Sequence, residues 1–294
     1  MPQRNASKAK LSRHVGIHVS IGGGIDESVD RAIELGCEGA FQIFTCSPRR
    51  WNAAPIEEEK ARAFREKCSK NGFVPFAHMP YMPNLSSPDP KFYSQSKEVL
   101  VREVKRCDFL GIKYLVLHTG SSLGTGMEEG KKRLVNACRE AISKTDSLSV
   151  RLLIENSAGG KRDLGSKFET LRECLKDIAE PKRTGICFDT CHAFASGYEI
   201  SSEEGVRNTV HEFDRIVGLN NLFLIHANDS KAERGKGIDR HEHIGIGKIG
   251  KRGMECFFSL PILSKVPAIL ETPRDGKRSD LENVLILKRF SQIN

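Results

Sequence analysis

The stretch "GICFDTCHAFASGY", residues 185–198, sets an aspartate, two cysteines and a histidine at the end of an apolar run. Its first half reads as a strand buried on both faces. Asp189 falls where that strand must give way to a loop, and His192 follows three residues on. The same design recurs on either side. Apolar runs at 14–20, 39–44, 73–78, 113–120 and 150–157 precede it, and runs at 221–229 and 267–273 follow. Each is continuous rather than alternating, as expected of strands buried in a parallel sheet. Between them lie segments with the 3.6-residue apolar stripe of helices, at 24–36, 96–111, 131–142, 168–180, 205–218 and 280–290. Eight strands, each followed by a helix with no long linker, predict an α/β fold of the (β/α)8 TIM-barrel kind, a single domain over residues 14–294. A doubly wound open sheet is the main rival. The count of eight and the lack of a GxGxxG after the first strand favour the barrel.

Bulk properties fit one such domain. The chain has 294 residues, of which 38% are hydrophobic, enough for a sizeable core. No apolar run approaches the roughly 18–20 residues of a membrane span. Residues 1–13 carry Arg4, Lys8, Lys10 and Arg13, no acidic side chain and no apolar core segment. They read as a flexible basic arm, not a secretory signal. The nine cysteines form no CxxC pair, so neither a disulfide framework nor a zinc ribbon is indicated, and a reducing interior is the expected compartment. The net charge of +8 points weakly to a polyanionic partner.

The candidate strands end in residues foreign to a hydrophobic core. His78, His118, Glu155, Asp189 and Glu271 close five of them, and His226, with Asp229 three residues on, closes a sixth. Their spacing is about one βα unit, so they stand side by side on the C-terminal rim, where barrel enzymes do their chemistry. The following loop adds "DRHEHIG", with Asp239 and His241 two apart and so on one side of an extended chain. With Asp239 preferred to Asp229, the set is five histidines and four carboxylates, counting His192. One tetrahedral ion takes about four ligands, so the set suits two or three divalent ions with a bridging carboxylate. Each residue alone has a plainer reading. A strand-end histidine is more often a hydrogen-bonded structural residue, Glu155 could pair with a rim cation, and Asp239 and His241 could cap a helix. Those readings must all hold independently, whereas one cluster accounts for every position. His18 faces the same rim with a poorer fit. His14, His211 and His243 read as structural or solvated, and Cys187 and Cys191 as small core residues.

The segments "GIHVSIGGG", "FVPFAHMPYMPNLSS", "LVLHTGS", "LLIENSAG", "ICFDTCHAFASGYEI", "LIHANDSK", "DRHEHIGIGKIG" and "ILETP" resemble, in order and along nearly the whole chain, the endonuclease IV family of apurinic/apyrimidinic (AP) endonucleases. The resemblance implies a xylose-isomerase-like barrel with a trinuclear zinc site, Mn2+ being an alternative at some positions. It implies that His78, His118 and Glu155 hold a first ion. Glu155, Asp189, His226 and Glu271 would hold a second, and His192, Asp239 and His241 a third; Asp229 matches a family motif without being a ligand. The implied activity is base-excision repair: hydrolysis of the phosphodiester 5′ to an abasic site, leaving a 3′-hydroxyl and a 5′-deoxyribose phosphate. A zinc-hydroxide mechanism suits that reaction, because metal binding lowers the pKa of water to around 7, with Glu155 bridging the ions and orienting the nucleophile. The expected partner is double-stranded DNA carrying abasic sites or blocked 3′ ends. Arg49, Arg50 and Trp51 after the second strand, and Tyr81 after the third, are the expected DNA contacts. A monomer is expected, in the cytoplasm of a prokaryote or the nucleus or mitochondrion of a eukaryote.

The alternative enzyme is a divalent-metal sugar isomerase or epimerase on the same barrel. Such enzymes lean on carboxylate ligands and often a catalytic lysine. The histidine-rich set and the absence of a strand-end lysine speak against it. A non-catalytic nucleic-acid-binding protein would leave nine converging side chains without a purpose.

Overall fold

Eight short parallel strands make the centre of the molecule. They are β1 (Val15–Ile17), β2 (Ala40–Phe44), β3 (Val74–His78), β4 (Tyr114–His118), β5 (Arg151–Glu155), β6 (Thr184–Asp189), β7 (Leu222–His226) and β10 (Ala268–Leu270). The structure, a computed structural model, describes residues 13–160 and 163–292. Hydrogen bonding runs β1-β10-β7-β6-β5-β4-β3-β2, and the ring is brought together by a parallel bridge between His18 and Gln42, with Val19 N–H donating to Gln42 O at 2.8 Å. At this seam Gly16 has no tolerable substitute, since a Cβ there would run into the Ala40 carbonyl. This is the barrel expected from the sequence.

Side chains alternate along a strand, so every second residue points into the barrel. Ala40, Phe76, Val116, Leu153, Cys187, Leu224 and Ile269 form one fully buried cluster drawn from seven strands. Side chains of this size contribute about 1.5–3 kcal/mol each when fully buried. Two residues further along the same strands, one pleat higher, come Gln42, His78, His118, Glu155, Asp189, His226 and Glu271. The inward phase that packs the core therefore also aims the polar groups, and the apolar cluster is the floor on which they stand. Cys187 belongs to that floor, as expected.

The outer ring comprises α1 (Glu27–Glu34), α2 (Glu58–Lys70), α3 (Pro90–Phe109), α4 (Met127–Ser143), α5 (Phe168–Ile178), α7 (Glu203–Ile216), α8 (Gly250–Ser259) and α9 (Asp280–Phe290), with a short α6 (Thr190–Ser196) directly after β6. Helix α3 starts six residues before the apolar stripe suggests. The cause is local: the Asp89 side chain caps the Phe92 N–H at 2.7 Å and Pro90 fits the first turn. Periodicity does not reveal helices α2 and α8. Helix α2 buries only Ala61, Phe64 and Cys68, and α8 opens on Gly-Lys-Arg-Gly, a poor helical signal. A two-stranded antiparallel ribbon, β8 (Asp229–Ser230) with β9 (His241–Glu242), projects after β7. Residues 1–12 of the basic arm lie outside the described residues. Arg13 is buried, donating to Phe258 O at 3.2 Å and lying over the Phe258 ring, so the chain is held from that residue on. Among the described residues no helix is long and apolar enough to cross a membrane.

Candidate metal centre

The nine candidate side chains come together over the floor in overlapping groups whose ligand atoms lie within 4.8 Å of one another, and three of these groups take in all nine. In the first, Oε2 of Glu155 is 3.2 Å from His78 Nε2 and 3.1 Å from His118 Nε2. In the second, the other oxygen, Oε1, is 2.8 Å from His226 Nδ1. That nitrogen also lies 3.4 Å from Glu271 Oε2 and 3.9 Å from Asp189 Oδ2. In the third, the Asp239 oxygens are 3.2 Å from His192 Nε2 and 3.3 Å from His241 Nε2. Glu155 thus divides its two oxygens between two sets. Strand register explains the closeness: His118 stands beside Glu155, and Asp189 beside His226.

The far side of each ring fixes which nitrogen is free. His78 Nδ1 donates to Met79 O (2.7 Å), His192 Nδ1 to Asn156 O (2.8 Å) and His241 Nδ1 to Glu271 O (3.0 Å). All three therefore present a bare Nε2 to the centre. His226 is reversed: Nε2 donates to Gln42 Oε1 at 2.9 Å, which frees Nδ1. Such outer partners are what orient imidazole ligands. Gln42 also donates to Glu271 Oε1 (2.7 Å), and Asn228 to Asp189 Oδ2 (2.6 Å). Asn156 accepts from Asp189 N at 2.6 Å. Gln42, Asn156 and Asn228 are absent from the residues singled out in the sequence. Gln42 was findable, since it lies two residues after Ala40 in an otherwise apolar strand.

The residues fit divalent cations on a test independent of their identity. In the neutral ring, Nε2 of His192 and Nε2 of His241 are buried with no donor to accept from, the nearest group being the Asp239 carboxylate at 3.2–3.3 Å, itself an acceptor. Buried unpartnered nitrogens are costly, and a cation between them and Asp239 would satisfy both. Imidazole and carboxylate are the donors that suit zinc and its neighbours. Cys187 and Cys191 lie close enough to join such sets, but burial pushes both thiols up, Cys187 to about 12. They keep their protons and act as core residues.

Charge balance in the cation-free site follows from the same contacts. Burial alone would lower His192, His226 and His241. The surrounding carboxylates overrule it for His192 and His241, and for His226 the neighbouring Cys187 sulfur does so ahead of Glu271 and Glu155, raising His192 and His226 well above the ordinary imidazole value and His241 to about 9. Burial would in turn raise Glu155, Asp239 and Glu271, and the imidazoles pull all three down. His18 is different. Burial lowers it, and its Nδ1 meets Gln42 Nε2 at 3.0 Å, so it joins none of the three sets. His14 and His211 are exposed, and His243 is buried between Asp275 and Asn283.

Two clefts flank the centre, and Tyr81, 59% exposed, lines both. One, of about 270 Å3, is bounded by His118, Glu155, His192 and Asp239. The other, of about 880 Å3, is bounded by His18, Arg49, Arg240, Glu271 and Arg274. Arg49 faces this mouth. Arg50 lines an adjoining cleft, with Lys60. Trp51 is half-buried, edge-on to Phe92 at 5.0 Å, and its carbonyl accepts from Arg102. Its placement makes it a brace of the loop. Tyr81 packs on Phe44, His78 and His118. Asp229 points away from all three sets.

A barrel whose strand ends gather three cation-type sets beneath an open, arginine-lined mouth is built for metal-assisted hydrolysis of an anionic polymer. A family model described as a xylose isomerase-like TIM barrel matches residues 29–285. The probable endonuclease 4 of Nitrosopumilus maritimus (strain SCM1) is 45% identical over 280 residues, covering 94% of this chain and 99% of its own. The crystal structure of endonuclease IV from Thermus thermophilus superposes with a TM-score of 0.83 at 33% identity, over 94% of this chain and 98% of the other. The chain belongs to the endonuclease IV family and is an endonuclease, a DNA-repair hydrolase. A D-tagatose 3-epimerase-like protein shares the fold at 19% identity and TM-score 0.68, covering 94% of this chain and 96% of that one. That likeness extends to the barrel alone, so the sugar-isomerase alternative has no support beyond it.

Proposed function

We propose that this protein cleaves DNA at abasic sites, hydrolysing the phosphodiester on the 5′ side of the lesion. The observation that carries the reading is that three groups of close-set ligand atoms take in all nine side chains, two of them sharing Glu155 through its separate oxygens. His78, His118 and Glu155 would hold one zinc ion, Glu155, Asp189, His226 and Glu271 a second, and His192, Asp239 and His241 a third. When bound, such ions neutralise the phosphodiester and make water a competent nucleophile near neutral pH. Glu155, with an oxygen in each of two sets, orients the attacking water as well as linking them. Tyr81 and Arg49 at the mouth fill the gap that an extruded abasic nucleotide leaves in the duplex, and an abasic site costs least to extrude. A duplex with one abasic analogue tests the reading. The expected cut lies 5′ to the lesion and leaves a 3′-hydroxyl; a cut on the 3′ side by β-elimination would overturn it.

The two arginines of the loop then differ. Arg49→Ala is expected to weaken binding of the abasic duplex by about 10–100-fold and to lower the salt slope by about one. Arg50→Ala should have a much smaller effect on the same titration. Equal effects would show that the side facing the mouth does not matter.

Metal loading should also release protons. In the cation-free protein His118, His192, His226 and His241 are all raised above the ordinary imidazole value, and a metal accepts only the neutral ring. Zinc titrated at pH 7 into stripped protein should release protons, read by calorimetry in two buffers of different ionisation enthalpy. Heats independent of buffer would contradict the assignment.

A further inference from the structure

Asp229 carries the most heavily bonded carboxylate outside the three sets, and among the described residues no cationic side chain lies against it. It is fully buried. Its oxygens accept backbone N–H groups from Ser230 (2.8 Å), Gly245 (3.0 Å), Gly247 (3.0 Å), Ile249 (3.0 Å) and Gly250 (3.2 Å). Five donors aimed at one carboxyl group need acceptor lone pairs, which the ionised form supplies in full. The backbone has in effect built an anion nest and filled it with its own side chain.

What the nest holds is the loop that bears two thirds of the third set. The chain leaves β7 at His226 and enters β8 at Asp229. It returns through β9, with Lys231 N donating to Arg240 O at 2.8 Å and Lys248 N to Ser230 O at 2.7 Å. It then wraps the Asp229 carboxylate before entering α8. His241 stands in β9 itself, opposite Ser230, with Asp239 two residues before it, and the wrapped turn follows directly after β9. The glycines of "HIGIGKIG" follow from the wrapping. Gly245 has φ +78°, and a Cβ on Gly247 would meet Asp229 Oδ1 and Ser230 O, each at 2.5 Å. His192, the remaining member, sits on α6 and is oriented independently by Asn156.

We infer that Asp229 is a positioning residue for the third cation set: by pinning residues 243–250 around its carboxylate it holds Asp239 and His241 in register with His192. The inference rests on the proposed reading of that set. Asp229→Asn presents an amide N–H₂ to N–H donors and so releases the turn, while the first two sets, carried on β3–β7 and β10, keep their places. The experiment measures zinc per chain in full-length wild-type and Asp229→Asn protein after dialysis against low free zinc, together with melting temperature and steady-state cleavage of an abasic duplex. The expected result is about three ions falling to about two, kcat lower by about 100-fold, and KM within a few-fold of wild type. Gly247→Ala, which sets a methyl group against the same carboxylate, should show the same selective loss. Full zinc retention at wild-type affinity in both variants would overturn the inference. So would unfolding of both, because Asp229 would then serve the whole barrel. A wild-type chain holding only two ions would instead overturn the reading of the third set on which the inference stands.

Discussion

Glu155→Gln is expected to lower kcat on an abasic duplex by about 1,000-fold or more, a loss at or beyond the upper end for one preorganised electrostatic partner. The side chain is 1% exposed, so no water can replace what the substitution removes. Both carboxylate oxygens are engaged, Oε2 by His78 and His118 and Oε1 by His226. An amide of the same shape can offer an acceptor to only one side. Its N–H₂ must face either the His78/His118 pair or His226, and one of the two sets sharing Glu155 loses its anionic member. Single-turnover cleavage, with zinc content measured on the same preparation, checks this. Unchanged turnover with full metal content would show that the shared carboxylate has no part in the reaction. Asp189→Asn should be milder in metal content, because Asp189 completes one set and its backbone N–H and C=O bonds to Asn156 would survive.

How much of this was legible in the sequence depends on what kind of signal each residue leaves. His78, His118, Glu155, Asp189, His226 and Glu271 were legible because an ionisable group at the end of a continuous apolar run has no packing explanation. Strand phase carries that contrast directly into space. Asp239 and His241 were legible as a pair, but whether Asp239 or Asp229 belonged to the centre was not decided by spacing alone. The structure separates them by what each oxygen meets: imidazoles for Asp239, backbone amides for Asp229. Asn156 and Asn228 left no signal, since asparagine just past a strand is the ordinary composition of a turn. Their role appears only where side-chain amides bond Asp189 and Glu271 across neighbouring strands. For Trp51 it was the packing role that stayed hidden. A lone tryptophan beside arginines looks like a nucleic-acid contact, whereas its partner Phe92, on α3, is about forty residues away in sequence. Helix α8 was hidden because its start is fixed by a distant carboxylate and not by a local cap.

Stripping the metal with a chelator should abolish cleavage and lower the melting temperature at neutral pH by roughly 10 °C for each site emptied, both reversed by adding zinc. The magnitude follows from linkage. Ligand at about 1,000 times its dissociation constant contributes about 4 kcal/mol per site, and about 1 kcal/mol moves a domain of this size by about 2–4 °C. The stripped protein should nonetheless remain folded, because the strand ladder and the floor of the barrel are independent of the ions. Protonated imidazoles also stand in for the missing charge, His226 Nδ1 meeting Glu155 Oε1 at 2.8 Å. That substitution is pH-dependent, and its sign can be worked out. His241 titrates at about 9 in the folded, metal-free chain against about 6.5 unfolded. A raised imidazole stabilises fully below the unfolded value and loses its contribution as pH climbs through the folded one. The stripped protein should therefore weaken between pH 6.5 and 9. Over the same range the loaded protein, whose rings are already neutral, takes up no imidazole proton on unfolding and should hold its stability. The difference in melting temperature between loaded and stripped protein should widen from pH 6.5 to 9, as paired thermal scans in non-chelating buffers would show. A difference that narrowed would mean that the imidazoles of the third set neither hold the protons nor receive the metal assigned to them.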